Sequence, residues 1–180
     1  MAPDPTRVLR GALAGAAAAG VWAAQQPFDK RVFGVDYDDV ELLGSIVTGA
    51  RGTRETYVLG AAMHLANGAL FGAVYAALSP SIGGPGPARG LLAGMGENLA
   101  TWPATALVPA VHPIGTQFPK LWGDNRAFAQ ACWRHALFGT ILGVLEERLN
   151  PPQREAAHAE EDHSSSNGHG NIANVVVSPA

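Results

Sequence analysis

The sequence contains a single cysteine, Cys132, so it cannot form an intramolecular disulfide. Charge is also scarce, because only 15% of the residues are charged and the formal net charge is −3. This balance is too weak for a nucleic-acid surface or for an electrostatic trap for acidic substrates. The chain also lacks a phosphate-binding loop and a nucleophile–base–orienter set, so we do not expect an enzyme.

Formal charges are absent from long stretches, although the mean hydropathy is only +0.08. The stretch 57–78 has no charged residue, and at ~1.5 Å per residue it can cross ~30 Å of hydrocarbon. Glu97 alone interrupts a second such stretch, and Arg10 and Arg134 lie in two weaker ones. We therefore predict an all-α bundle of four transmembrane helices, over residues 8–26, 56–78, 88–111 and 127–146.

The loops and ends carry the remaining polar residues. We predict a polar loop over 27–55 with a short interfacial helix, capped by Asp36, Asp38 and Asp39 and carrying an apolar stripe of Val40, Leu43 and Val47. Alternatively, the three aspartates line a metal or substrate mouth. Pro103 predicts a kink in the third helix. Residues 1–150 would form the membrane domain, and 151–180 a disordered polar tail.

Short motifs recur in the same order along the chain. The segment 10–15 resembles 89–94, and 69–72 resembles 136–139. Two tandem helical hairpins of the same orientation would explain both similarities. Small residues also follow two histidines at four-residue spacing, which places them on one helix face and lets another helix approach closely. The predicted packing glycines are Gly68, Gly72, Gly139 and Gly143.

Polar residues also occur at mid-depth in the predicted spans. Because such residues are expensive in lipid, we expect them to face inward and to pair, with Glu97 contacting Arg134 or His135. The predicted intramembrane cluster is His64, Asn67, Glu97, Asn98, Arg134 and His135. It could be structural, could handle protons or a transported solute, or could bind haem through His64 and His135. We favour the structural interpretation and expect no metal and no cofactor.

The arrangement in the membrane follows from the span ends. Four spans place both termini on one side, and Arg10, Arg89 and Arg148 favour the cytoplasmic side. Trp22, Tyr57 and Trp122 would then form a belt at the outer interface. A cleaved signal peptide is the alternative interpretation of the first apolar stretch.

The part of the chain from 64 to 148 resembles the YagU-like inner-membrane proteins. The similarity rests on His64-x2-Asn67, the segment 90–94, a proline-bearing helix end, His135 and the charged end at 146–148. The resemblance implies a small multi-pass protein of the bacterial inner membrane, linked to acid stress and without catalytic residues. We expect the lipid bilayer as its main partner, beside a homo-oligomer or other membrane proteins, and no nucleic acid.

Overall fold

The computed structural model describes residues 4–151, and within this range the chain is helical with no strand. The all-α prediction is therefore confirmed for the described residues. Short 3-10 turns lie at 79–81, 102–107 and 115–117. The α-helices are α1 (Pro5–Phe33), α2 (Asp39–Thr48), α3 (Arg54–Leu78), α4 (Gly86–Thr101), α5 (Val108–Val111) and α6 (Asn125–Leu149). The predicted disordered tail lies outside the described residues beyond Pro151.

Helix α1 is longer than its predicted span, because it continues through Pro27 to Phe33. The expected polar loop from residue 27 was therefore wrong for its first seven residues. Proline removes one hydrogen bond from the helical ladder, but the following turns are held by the buried side chain of Asp29, which accepts from Gln25 at 2.6 Å. The helix ends at Gly34, which adopts a positive φ of 68° that favours glycine.

Two antiparallel helix pairs have the same contact register. On α1, a Cβ added to Gly11 or Gly15 would overlap backbone at Gly72 or Gly68 of α3. Likewise, a Cβ on Gly90 of α4 would overlap backbone at two glycines of α6, Gly139 and Gly143. The four predicted packing glycines thus lie at these two crossings, and the repeated motifs occupy equivalent places in the two hairpins.

The predicted span 88–111 is not one continuous α-helix. Helix α4 ends at Thr101, a 3-10 segment follows over 102–107, and α5 occupies only four residues. The change falls where Pro103 removes a backbone donor, so the predicted kink is a change of helix type.

Helix α2 begins at Asp39, and the side chain of Asp38 caps it by accepting from the Glu41 amide at 3.0 Å. Its buried residues are Val40, Glu41, Gly44 and Ser45, whereas Val47 is 63% exposed. The predicted apolar stripe was therefore wrong at Val47. The reason is that α2 packs on α3 through a close approach of Gly44 to Gly60.

The long helices enclose an interior that is open on one side. Helix α1 packs against both α3 and α6, and α4 packs against α6, whereas α3 and α4 have no extensive contact. By length and composition, the stretch Arg54–Ser81 is the one described helix that could cross a membrane. Of the four predicted transmembrane helices, only the second, predicted over 56–78, meets this criterion.

Candidate functional site: a polar cavity between α3 and α4

A cavity of about 220 Å³ occupies the cleft between α3 and α4. Side chains of α1 and α6 also line it, and α2 and the 3-10 segment 102–107 contribute residues at one end. All six residues of the predicted intramembrane cluster belong to its wall: His64, Asn67, Glu97, Asn98, Arg134 and His135. The structure thus brings the six residues to the wall of one cavity.

Arg134 is fully buried and is held by two carboxylates that the sequence analysis did not assign to it. Its guanidinium donates to Asp29 through Nε at 2.7 Å and Nη2 at 2.6 Å, and to Asp39 through Nη1 at 2.6 Å. Asp29 is also fully buried. Of the two partners predicted for Glu97, Arg134 is therefore not the one used, because the end of α1 supplies Arg134 with the bidentate partner Asp29 and the start of α2 supplies Asp39.

The rest of this ionic cluster fixes the two aspartates in place. Gln130, one turn before Arg134 on α6, donates to Asp29 at 2.8 Å, and Trp22 donates to Asp39 at 3.0 Å. The guanidinium carbon also lies 5.3 Å from the centre of the Tyr37 ring. Burial and the neighbouring Asp39 carboxylate raise the pKa of the Tyr37 phenol well above its usual range, so this group is neutral at physiological pH.

Glu97 pairs with His135, the other partner that the sequence had allowed. The Nε2 atom of His135 lies 2.7 Å from a Glu97 carboxylate oxygen, and its Nδ1 lies 2.8 Å from the Ala131 carbonyl oxygen. The Glu97 side chain is 35% exposed, so this pair lies at the edge of the cavity. Both ring nitrogens of His135 are thus engaged, which is unfavourable for the axial ligation of haem that we had considered.

His64 is buried, being only 7% exposed, and its Nε2 atom has no hydrogen-bond partner within residues 4–151. Its ring packs edge-on against Trp22, with 5.4 Å between the ring centres. Trp22 also packs edge-on against His135 at 4.7 Å. The prediction that Trp22 belongs to an interfacial belt was wrong, because its indole is buried against these rings and bonds to Asp39.

The two asparagines occupy different environments. Asn98 is buried and donates to the sulfur of Cys132 at 3.3 Å, whereas Asn67 is exposed at the α3 edge of the cleft. The three loop aspartates also separate. Asp36 is exposed beside Lys30, Asp38 caps α2, and only Asp39 reaches the cavity.

A second buried ionic cluster lies at the other end of the bundle from Arg134, where α1 begins and α3 and α6 end. Glu146 is fully buried, and one of its carboxylate oxygens accepts from Arg7, Ser79 and Asn150. The sequence predicts Glu146 at the charged end of the last span. The structure instead uses it to hold the start of α1 and the end of α3 against α6.

Sequence reasoning missed Asp29, Asp39 and Glu146, the three acidic partners in these clusters. The sequence interpretation places Asp29 in a polar loop, Asp39 among the caps of a short interfacial helix, and Glu146 at the charged end of the last span. One signal was available, because Gln25 and Asp29 are four residues apart and share a helix face only if α1 continues past Pro27.

Comparison of the chain with models of protein families, with curated proteins and with solved structures gives no match. In residues 4–151, no group of three or more His, Cys, Asp or Glu side chains is arranged to hold a metal ion. The site must therefore be interpreted from its own chemistry.

Proposed function

We propose that this chain is a small multi-pass membrane protein in which α1, α3, α4 with its 3-10 extension, and α6 cross the bilayer. One observation carries the proposal: charged side chains are buried between the helices, while large apolar side chains are exposed on their outer faces. Arg134 and Asp29 are fully buried, whereas Leu13, Leu70 and Leu92 are 61–70% exposed. Intramembrane charges face the bundle interior and pair there, as these do.

The lengths of the helices agree with this proposal. At ~1.5 Å per residue, the 29 residues of α1 extend ~43 Å and the 25 residues of α6 extend ~37 Å. Both exceed the ~30 Å of a hydrocarbon core. Their mean hydropathy is reduced by residues such as Asp29 and Arg134, but these side chains point inward and would not meet lipid.

The proposal includes kinship with the YagU-like proteins and a place in the bacterial inner membrane. Support comes from the sequence motifs that carry the resemblance, His64-x2-Asn67 and His135 among them. We assign the protein a structural or stress-related role in that membrane rather than catalysis. The buried ionic clusters, which connect α1, α3 and α6, are the parts that serve such a role.

Membrane extraction tests the proposal. We expect the expressed full-length chain to remain in the membrane pellet after washing with alkaline carbonate and to be released by detergent. A chain that is monodisperse in buffer without detergent would contradict the proposal.

Proton handling at Glu97 and His135 is the second candidate, and the 2.7 Å contact between them at the edge of the cavity favours it. Glu97→Gln keeps the shape of the side chain but cannot carry a proton. Because Glu97 is partly exposed and is not part of the Arg134 cluster, we expect this variant to fold with a loss of only ~0–1 kcal/mol. For a proton carrier, pH-driven flux into liposomes would be present in the wild type and absent from the folded variant. Wild-type flux no higher than that of empty liposomes would reject this candidate.

A further inference from the structure

The charges around the cavity do not balance. Three carboxylates, those of Asp29, Asp39 and Glu97, are gathered around one guanidinium and the His135 imidazole. Asp29 lies behind Arg134 rather than in the cavity wall, and a surplus of negative charge remains when the carboxylates of Asp29, Asp39 and Glu97 are set against the Arg134 guanidinium. Inside a protein such a surplus acts through a lower effective dielectric than in water, and so it attracts a cation more strongly.

The cavity wall is also rich in aromatic rings. Trp22, Tyr37 and Trp102 line it together with Phe71 and Phe138. The faces of such rings attract cations, most strongly when water is excluded. A metal ion would instead need several oxygen or nitrogen ligands in a tight shell, and the described residues form no such group.

Two polar atoms at the cavity leave hydrogen-bonding capacity unused. The buried Nε2 of His64 has no partner within residues 4–151. In Glu97, one carboxylate oxygen faces His135, and the other has no hydrogen bond to any described residue. Buried polar groups in proteins are nearly always paired, so the buried Nε2 of His64 has an unmet hydrogen-bonding requirement, whereas the second Glu97 oxygen, in a side chain that is 35% exposed, is open to solvent or to a ligand.

Size and access limit the ligand. A volume of about 220 Å³ corresponds to roughly seven water molecules at ~30 Å³ each, and it is below the ~300 Å³ of the smallest drug-sized pockets. The cleft between α3 and α4, where Asn67 is exposed and Glu97 is half-buried, is the open side of the cavity.

We propose that this cavity is a binding site for a small organic cation, a quaternary or protonated amine of choline size. Glu97 supplies the countercharge at the open side of the cavity, and the rings of Trp22 and Trp102 surround the cationic group. The buried His64 imidazole offers a hydrogen bond to a polar end of the ligand. Cation binding and membrane insertion are measured by different experiments, so failure of this site and failure of the proposed function are distinguishable.

The test is calorimetric titration of the purified full-length chain with choline and with its neutral isostere 3,3-dimethylbutan-1-ol. The two probes have the same shape and differ in charge. We expect saturable binding of choline, and binding of the isostere weaker by about tenfold or more, because the cation–π and carboxylate attractions are lost. Tetramethylammonium, a second cation without the hydroxyl, should also bind.

Matched variants assign the binding to the cavity. Glu97→Gln should weaken choline binding by about tenfold or more, whereas Glu55→Gln, at an exposed position on α3, should leave it unchanged. Trp102→Leu keeps every charge and should also weaken choline binding if the ring contributes. The proposal is overturned if the folded wild type binds neither cation, if the neutral isostere binds as tightly as choline, or if Glu97→Gln and Trp102→Leu both bind choline normally.

Discussion

At the scale of single residues, the centre of the molecule depends on the pairing of Arg134 with two aspartates. Asp29 accepts four hydrogen bonds, from Gln25, Gln130 and twice from Arg134, so its buried charge is fully solvated by protein. Such a cluster adds little net stability relative to an apolar core, but the removal of one member leaves the others buried and unpaired.

Arg134→Met is therefore expected to destabilise the protein by ~3–5 kcal/mol, because it leaves Asp29 charged and without a counterion. Arg148→Met is the matched control, since Arg148 lies on the same helix and is exposed. Thermal unfolding in detergent measures both. Adding Asp29→Asn to Arg134→Met should restore part of the loss, because the two residues form one unit. Equal unfolding temperatures for Arg134→Met and Arg148→Met would contradict this assignment.

The sequence allowed the pairing of Glu97 with His135, but it did not reveal the partners of Arg134. The cost of polar groups in lipid was enough to select His64, Glu97 and His135 as inward-facing residues. The choice of partner for Arg134 depends on Asp29 and Asp39, which are about a hundred positions away in the sequence. The pattern of residues within α6 does not indicate which distant carboxylates contact Arg134.

At the scale of helices, the two hairpins are held by contacts between glycine faces. At Gly15, an added Cβ would overlap the Gly68 carbonyl oxygen of α3, whereas at Gly20, on the same helix, the nearest atom would be 3.8 Å away. In the second hairpin, Gly90 is in close contact with α6, whereas a Cβ on Gly96 would meet nothing within 4 Å. Gly20 on α1 and Gly96 on α4 are therefore matched control positions for Gly15 and Gly90.

Gly15→Ala and Gly90→Ala should each destabilise the protein by ~1–3 kcal/mol or more, because the clash is with backbone that cannot rotate away. Gly20→Ala and Gly96→Ala should be neutral or stabilising by up to ~1 kcal/mol, since alanine is the better helix former. Thermal unfolding of the four variants provides the comparison. Similar stability for Gly15→Ala and Gly20→Ala would mean that α1 and α3 do not cross as described.

The helices themselves were only partly predictable. Four-residue spacing identified the packing glycines, because small residues on one face have the same purpose in any close crossing. The end of α1 was misplaced because the residues after 26 have the composition of a polar loop, whereas in the structure the tertiary contacts of Asp29 accompany a helix that continues through Pro27 to Phe33. Similarly, the side of α2 that is buried is decided by its contact with α3 through Gly44, and the apolar residues of α2 alone do not reveal it.

At the scale of the whole molecule, the account depends on the apolar outer surface being in lipid. Large apolar side chains are exposed on all four long helices. The polar side chains of the cavity and of the Glu146 cluster lie between these helices. Exposed apolar area of this extent is unfavourable in water at ~25 cal/mol per Å². In a bilayer the same surface carries no such penalty.

The most direct measurement uses nitroxide spin labels on the protein in lipid nanodiscs. Labels are attached at Leu13, Leu70 and Leu92, each replaced singly by cysteine in a Cys132→Ser background, with an exposed loop position, Gly83, as the reference. Collision rates with oxygen, which concentrates in lipid, are compared with those for a water-soluble nickel complex. We predict that oxygen dominates at the three leucine positions and nickel at position 83. Nickel access at the leucine positions equal to that at position 83 would contradict the claim that these helices cross the membrane.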